Sequence, residues 1–320
     1  MTDPPFGILV MAYGTASGPD DVERYYTDIR GGRAPTPEHL QELQGRYAAI
    51  GNRFPLLEIT TQQAKGLARA LGEGFRSHLG MKHSPPFIAE GVARMREDGI
   101  ERAVGIVMAP HWSGMSIETY VDRVEKSVAE DGGPSFTFVR KFHDHPGFVR
   151  FLAGRVSDAL AQLREEEHAH AAVIFSAHSL PQRTLENGET RCSHCHLCAT
   201  SCAYVDGLRE TAELVSAELG GIDHMIGWQS AGRTADPWLG PPVEEVIGEL
   251  ADKHPAIVVC SAGFVADHLE ILYDLDIEAQ EVARDAGVKL VRTEMPNADP
   301  AFVQVLADVV REHLASAPSP

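Results

Sequence analysis

Two apolar runs of the same design constrain this chain more than any other feature. Phe6 to Met11 (FGILVM) breaks into Ala12-Tyr13-Gly14-Thr15, and Ala171 to Phe175 (AAVIF) breaks into Ser176-Ala177-His178-Ser179-Leu180-Pro181. A short apolar run bounded by breakers reads as a strand buried on both faces, the habit of a parallel sheet. In open α/β sheets ligands sit just beyond the carboxyl ends of such strands. His178 stands at that place, and an imidazole there can take a proton or hold a metal. On spacing alone, a loop histidine without a role reads equally well.

The rest of the chain alternates in the same way. Further strands are expected at 103–109, 136–139, 223–227, 256–261 and 288–291. Helices are expected at 20–30, 37–47, 58–75, from the HSPPF loop to about 98, and at 116–131, 146–167, 203–219, 242–252, 266–285 and 300–314. Strands alternating with helices imply parallel sheets with helices on both faces. The 320 residues suit two domains of ordinary size. Because both halves open with strand, polar loop and helix, the expectation is two similar α/β lobes with an active cleft between them. The divisions are 1–145 and 146–299, with the C-terminal helix 300–320 returning to the first lobe and the helix 146–167 as bridge. No strict repeat accompanies this symmetry.

Composition narrows the partners. With 46 acidic against 28 basic residues the net charge is −18, which argues against nucleic acid and against an anionic membrane surface. A small anionic ligand is not excluded, since a few local arginines suffice for it. The N-terminus lacks a basic region and its apolar run is short for a signal sequence. No run reaches transmembrane length, so a cytoplasmic protein is expected. Four of the five cysteines fall within eleven residues, a pattern of metal binding rather than of a disulfide framework.

Three constellations carry chemistry. On the helix following Ser261-Ala262-Gly263, the acids Glu270, Asp274 and Glu278 recur at i, i+4 and i+8. They share one face of an α-helix with a slow drift, and winding with i→i+5 bonding would align them more closely. A solvated acidic face is the ordinary reading. The apolar neighbours Leu269, Ile271, Leu272 and Tyr273 favour a row that conducts a divalent cation inward. The second constellation is Cys192, Cys195, Cys198 and Cys202, spaced C-x2-C-x2-C-x3-C, which suits zinc or an iron–sulfur cluster. His194 and His196 lie inside it as alternative ligands, and Cys260 reads as a small buried hydrophobe. The third is Tyr13, Arg30, Arg46, Tyr47, Trp112 and Tyr120. With Trp228 and Trp238 they would line a flat apolar slot rimmed by arginine, suited to a large planar ligand bearing carboxylates.

The stretches GILVMAYGT, ERYYTDIRGGR, LQGRYAAIGN, APHWSGMSIETY, VIFSAHSLP, GWQSAGRTADPWLGP, GFVADHLEILYDLDIE and EMPNADPAFV, in this order, span nearly the whole chain. They closely resemble the ferrochelatases, which insert ferrous iron into a porphyrin, and among them the bacterial coproporphyrin III branch. The resemblance implies a chelatase-like fold of two Rossmann-like lobes. It implies His178 and Glu270 as the pair at the inner metal site, and Asp274 and Glu278 at an outer cation site that could take Mg2+. It places Tyr13 on the opposite face of the macrocycle, Arg30 near the outer site or at a propionate, and Arg46, Tyr47 and Tyr120 at propionates. Phe54 stands where related bacterial enzymes have a serine against a propionate, which puts that hydrogen bond in question. The cysteine stretch, within 189–203, is an insertion relative to cluster-free members, which continue directly towards a tyrosine, read here as Tyr204.

Ferrochelatases with such cysteines hold a 2Fe-2S cluster, which is preferred here over zinc or a 4Fe-4S cluster. The resemblance further implies coproporphyrin III and Fe2+ as substrates of a monomer. An upstream porphyrin oxidase and a downstream coprohaem decarboxylase would be its partners. The competing readings are action on protoporphyrin IX, a chelatase for sirohydrochlorin, and a non-enzymatic haem or iron–sulfur sensor.

Overall fold

A computed structural model describes residues 5–184, 190–192, 202–232, 234 and 236–316. Strand β1 (Phe6–Ala12) opens the first lobe and is followed by helices α1 (Val22–Ile29), α2 (Pro37–Ala49) and α3 (Leu56–Leu71). Then come β2 (Phe75–Met81), α4 (Ile88–Glu97), β3 (Arg102–Val107), α5 (Ile117–Asp131) and β4 (Ser135–Val139). Helices α6 (Pro146–Leu160) and α7 (Glu165–His168) lead to β5 (Ala172–His178). A short antiparallel pair, β6 (Gln182–Thr184) and β7 (Thr190–Cys192), precedes α8 (Ala203–Glu218), β8 (His224–Gln229), α9 (Val243–Ala251) and β9 (Ala256–Cys260). A π-helix (Ile271–Glu278), α10 (Ala279–Asp285), β10 (Lys289–Arg292) and α11 (Pro300–Ser316) complete the chain.

The strands form two parallel four-stranded sheets, ordered β2-β1-β3-β4 and β10-β9-β5-β8. Counted from the first strand of each lobe, both sheets read second, first, third, fourth. The twofold symmetry expected from the two opening runs therefore exists in the topology. The register aligns Ile8 with Ser77 and Val104, and Val173 with His224 and Val258.

The central strands are apolar throughout because both of their faces are buried. Ile8 and Val10 join one core and Leu9 and Met11 another, all with no exposure. Val173 and Phe175 likewise face the first core, and Ala172 and Ile174 a separate one. Each such aliphatic side chain contributes roughly 1.5–3 kcal/mol. The first core is shared, since it joins inward residues of β1, β3, β5 and β9 to Phe148 and Leu152 of α6, Leu208 of α8 and Phe302 and Leu306 of α11.

Three expected elements differ. The helix expected over 58–75 stops at Leu71, where Gly72 takes φ 104°, and the chain then forms β2. That strand, FRSHLGM, is half exposed at the sheet edge and so lacks the apolar signature of a central strand. The bridge expected over 146–167 ends at Leu160 and is followed by a separate single-turn helix. The helix expected over 266–285 is wound with i→i+5 bonds from Ile271 to Glu278.

Candidate functional site

In each sheet the chain leaves the first strand to opposite sides, so β1 and β5 border the crevices where parallel sheets bind ligands. His178 is the last residue of β5 and the Tyr13 loop follows β1. Gly263, beyond β9, closes the second crevice from below. Its N–H donates to Ser176 O at 2.9 Å, and a Cβ there would lie 2.4 Å from that of Ala177.

The His178 ring is oriented by a hydrogen bond between Nδ1 and the Ser179 carbonyl, which turns Nε2 toward Glu270 Oε1 at 3.6 Å. Both side chains keep 34% exposure, open enough to meet a ligand. The second Glu270 oxygen lies 3.6 Å from His268 Nε2, and His268 Nδ1 is 2.9 Å from Ala266 O. Burial alone would lower the His178 pKa, but the Glu270 carboxylate outweighs it and raises it. Burial would likewise raise Glu270, yet the facing imidazoles hold it well below the usual carboxylate range. The pair can hold one proton between them or present an imidazole nitrogen and a carboxylate to a cation.

Further along the π-helix, Asp274 is 4% exposed and accepts a hydrogen bond from the Ser230 hydroxyl. Arg46 Nη1 lies 3.6 Å from its other oxygen. Burial first, and then the neighbouring Glu270, push the Asp274 carboxyl up to about 7, against the pull of Ser230 and Arg46. Ser230 holds a left-handed φ of 58°, a strained value for a serine, directly after β8. Glu278 ends the π-helix, and its charge raises both Glu244 and Asp274. Among the described residues the three acids form a row rather than a cage. The one His, Cys, Asp or Glu group among the described residues whose donor atoms all approach within 4.8 Å lies elsewhere, at His143, Asp144 and Glu210 between the start of α6 and α8.

On the first lobe Tyr13 is 44% exposed and its ring lies 4.6 Å from that of His83. Burial of the hydroxyl and then the Glu270 carboxylate raise the Tyr13 pKa. Gly14 makes this loop feasible, with φ 100° and a missing Cβ that would fall 2.5 Å from Ser84 Oγ. Tyr47 stacks on Phe54 at 4.4 Å and its hydroxyl lies 3.4 Å from Thr15 Oγ1. The half-buried Arg30 sits 5.7 Å over the Tyr26 ring, with Nε buried and unpartnered.

Residues 5–314 match the sequence model of the Ferrochelatase family. The chain belongs to the ferrochelatase family. Relatives of this ferrochelatase-family chain include the coproporphyrin III ferrochelatase of Anoxybacillus flavithermus, 44% identical with 98% of each chain covered. That of Bacillus subtilis strain 168 is 43% identical, covering 98% of this chain and 99% of the relative. Among solved structures, the sirohydrochlorin chelatase SirB from Bacillus subtilis subspecies spizizenii, in complex with cobalt, superposes with a TM-score of 0.57. It is 11% identical, with 96% of this chain and 94% of that chain covered. That likeness is one of fold, and it agrees with the expected pair of parallel-sheet lobes.

One sequence-derived expectation for this family member, the Trp228 wall of an aromatic slot, needs correcting. Trp228 does not line an open slot, because it is 2% exposed and packs 5.6 Å from the Tyr204 ring in the core. Tyr47 and Tyr120 are also buried, each 3% exposed. Trp112 donates to Glu118 Oε1 at 2.7 Å, whereas Trp238 lies 6.5 Å from the His178 ring. Of the four clustered cysteines, Cys195 and Cys198 lie outside the described residues and only the backbone of Cys192 is described. Cys202 is the N-cap residue of α8. Cys260 is fully buried at the end of β9, as expected of a small core residue.

Sequence reasoning missed His268, Gln229, Gln63 and Asn297. Gln229 Oε1 accepts from Ser176 Oγ at 2.7 Å and Ser261 Oγ at 3.0 Å, tying β5 to the loop after β9. Gln63 Nε2, from α3, donates to Val265 O and Asn297 O, joining the first lobe to the loop before Glu270. Asn297 Nδ2 donates to Asp267 Oδ2 at 2.7 Å. Only His268 carried a signal in the sequence, its spacing of two from Glu270.

Proposed function

We propose that this chain inserts ferrous iron into coproporphyrin III to give iron coproporphyrin III in haem biosynthesis. The observation that carries this reading is the His178–Glu270 pair at 3.6 Å, open to the space between the lobes at the end of β5. The names of the relatives at 43–44% identity support the same substrate.

The reaction needs a porphyrin held in place, two pyrrole protons removed, and a ferrous ion stripped of water. In this reading the His178 imidazole and the Glu270 carboxylate accept the protons and guide the ion, with His268 sharing the charge of Glu270. Tyr13 approaches the macrocycle from the opposite face. Arg30, Arg46, Tyr47 and Tyr120 hold the propionates, and Phe54 contributes apolar contact through its stack with Tyr47. Binding at the periphery then offsets the strain of distorting the ring. Asp274 and Glu278 hold a hydrated divalent cation such as Mg2+ at an outer site. The pKa of Asp274, pushed up to about 7, makes that site's charge responsive to its occupant.

The donor set of Cys192, Cys195, Cys198 and Cys202 is four thiols within eleven residues, a chemistry that fits a 2Fe-2S cluster. The protein acts in the cytoplasm as a monomer, receiving porphyrin from an oxidase and passing coprohaem to a decarboxylase. No described helix is long and apolar enough to cross a membrane. The division of the lobes falls at 145/146, with helix α11 (Pro300–Ser316) returning to the first.

The test is metallation under anaerobic conditions. The variants His178→Ala and Glu270→Gln are expected to bind coproporphyrin III, seen by fluorescence quenching, yet insert Fe2+ at least about 100-fold more slowly. Near-normal insertion by both variants would overturn the assignment.

A further inference from the structure

Lys82 stands at the end of β2, beside the Tyr13 loop, where its N–H donates to Ala12 O at 2.9 Å. Its ammonium lies 5.0 Å from the centroid of the Tyr120 ring and 6.0 Å from that of Tyr13. One hydrogen bond anchors it, to Thr119 Oγ1 at 2.7 Å. Arg123, exposed on α5, donates to the Lys82 carbonyl, and its charge also acts on the Tyr13 hydroxyl. Two cations thus meet beside two tyrosines. Burial and then Arg123 lower the Lys82 pKa, and among the described residues no carboxylate forms an ion pair with it.

This arrangement is unusual for a chain with 46 acidic and 28 basic residues. A part-buried ammonium with donors to spare and no counter-ion is unfavourable on its own. The corresponding pKa falls to about 8, through burial first and Arg123 second. A carboxylate entering beside it would remove the cost and form a charge-assisted hydrogen bond. The two arginines assigned to propionates approach from other elements, Arg30 after α1 and Arg46 on α2, and Arg46 is already shared with Asp274 and Glu42.

We propose that Lys82, supported by Arg123, binds one carboxylate of the tetrapyrrole on the Tyr13 side and so favours tetracarboxylic over dicarboxylic porphyrins. The inference rests on the proposed chelatase function and names the residues behind its substrate choice. A purely structural Lys82, held by its aromatic contacts, would not distinguish porphyrins by their number of carboxylates.

The experiment is a fluorescence titration of the full chain with metal-free coproporphyrin III, which has four propionates, and mesoporphyrin IX, which has two. Lys82→Met is expected to weaken coproporphyrin III binding about tenfold and mesoporphyrin binding less than about twofold, while Lys82→Arg restores most of the difference. Arg123→Met, at an exposed position, should show the same selectivity more weakly, and it decides the matter if Lys82→Met does not fold. Equal weakening for both porphyrins, or none for coproporphyrin, overturns the carboxylate contact. An unaltered chain that binds neither porphyrin instead overturns the functional reading itself.

Discussion

At the scale of single residues, the site is governed by the burial of charge. Asp274 shows the consequence for stability. Its carboxyl is raised from 3.8 to about 7 in the folded chain, so between those values the native state binds the extra proton. Stability from this group therefore falls as pH rises through that window. Asp274→Asn removes the burden while keeping an acceptor for Ser230. The variant should melt a few degrees above the unaltered protein at pH 8, and the gap should close at pH 5; thermal scans at both values check this. Gly14 is the second sensitive position. Gly14→Ala forces a Cβ against Ser84 at a φ of 100°, costing roughly 1–3 kcal/mol. A drop of several degrees in melting temperature and weaker porphyrin binding are expected. Of the site residues the sequence singled out His178, because it ends an apolar run, and Glu270, because it is spaced i, i+4 and i+8 with Asp274 and Glu278. It could not reveal Gln229 or Asn297, whose importance lies in partners dozens of residues away.

Among the elements, helix α8 has the most direct hold on the site. Tyr204, on its first turn, donates its hydroxyl to His178 O at 3.0 Å and packs against Trp228. Tyr204→Phe should cost about 1 kcal/mol in denaturant unfolding and lower iron-insertion kcat severalfold, with porphyrin affinity kept. An unchanged kcat would show that the main chain of β5 needs no such tether. The acidic helix tells a related story about legibility. The spacing of Glu270, Asp274 and Glu278 favours a functional row, which i→i+5 winding aligns more closely than an α-helix. That the chain actually winds so is decided by packing, since Ile271, Leu272 and Leu275 must all be buried around it. Strand β2 shares only Phe75 with the helix expected over 58–75 and is otherwise unmarked in the sequence, because an edge strand with a wet face lacks the apolar run of a central strand.

At the scale of the whole molecule, the two lobes share one apolar core through α6, α8 and α11. Calorimetry should therefore show a single cooperative unfolding transition, and two separated endotherms would contradict the shared core. The cysteine set belongs to this scale as well. Protein purified without oxygen should absorb in the visible and contain iron and sulfide, and Cys202→Ser should lose both; a colourless protein binding only zinc would remove the 2Fe-2S proposal. The sequence by itself determined the parallel sheets, because strands buried on both faces must be apolar along their whole length. It also determined the repeated opening of each lobe and the residue types at the ends of β1 and β5. Only the tertiary structure decided that His178, Glu270 and His268 meet, that Trp228 is core rather than wall, and that Lys82 has no acid paired with it among the described residues. The reason is physical: local pattern reports burial along one element, whereas these features depend on which elements face one another.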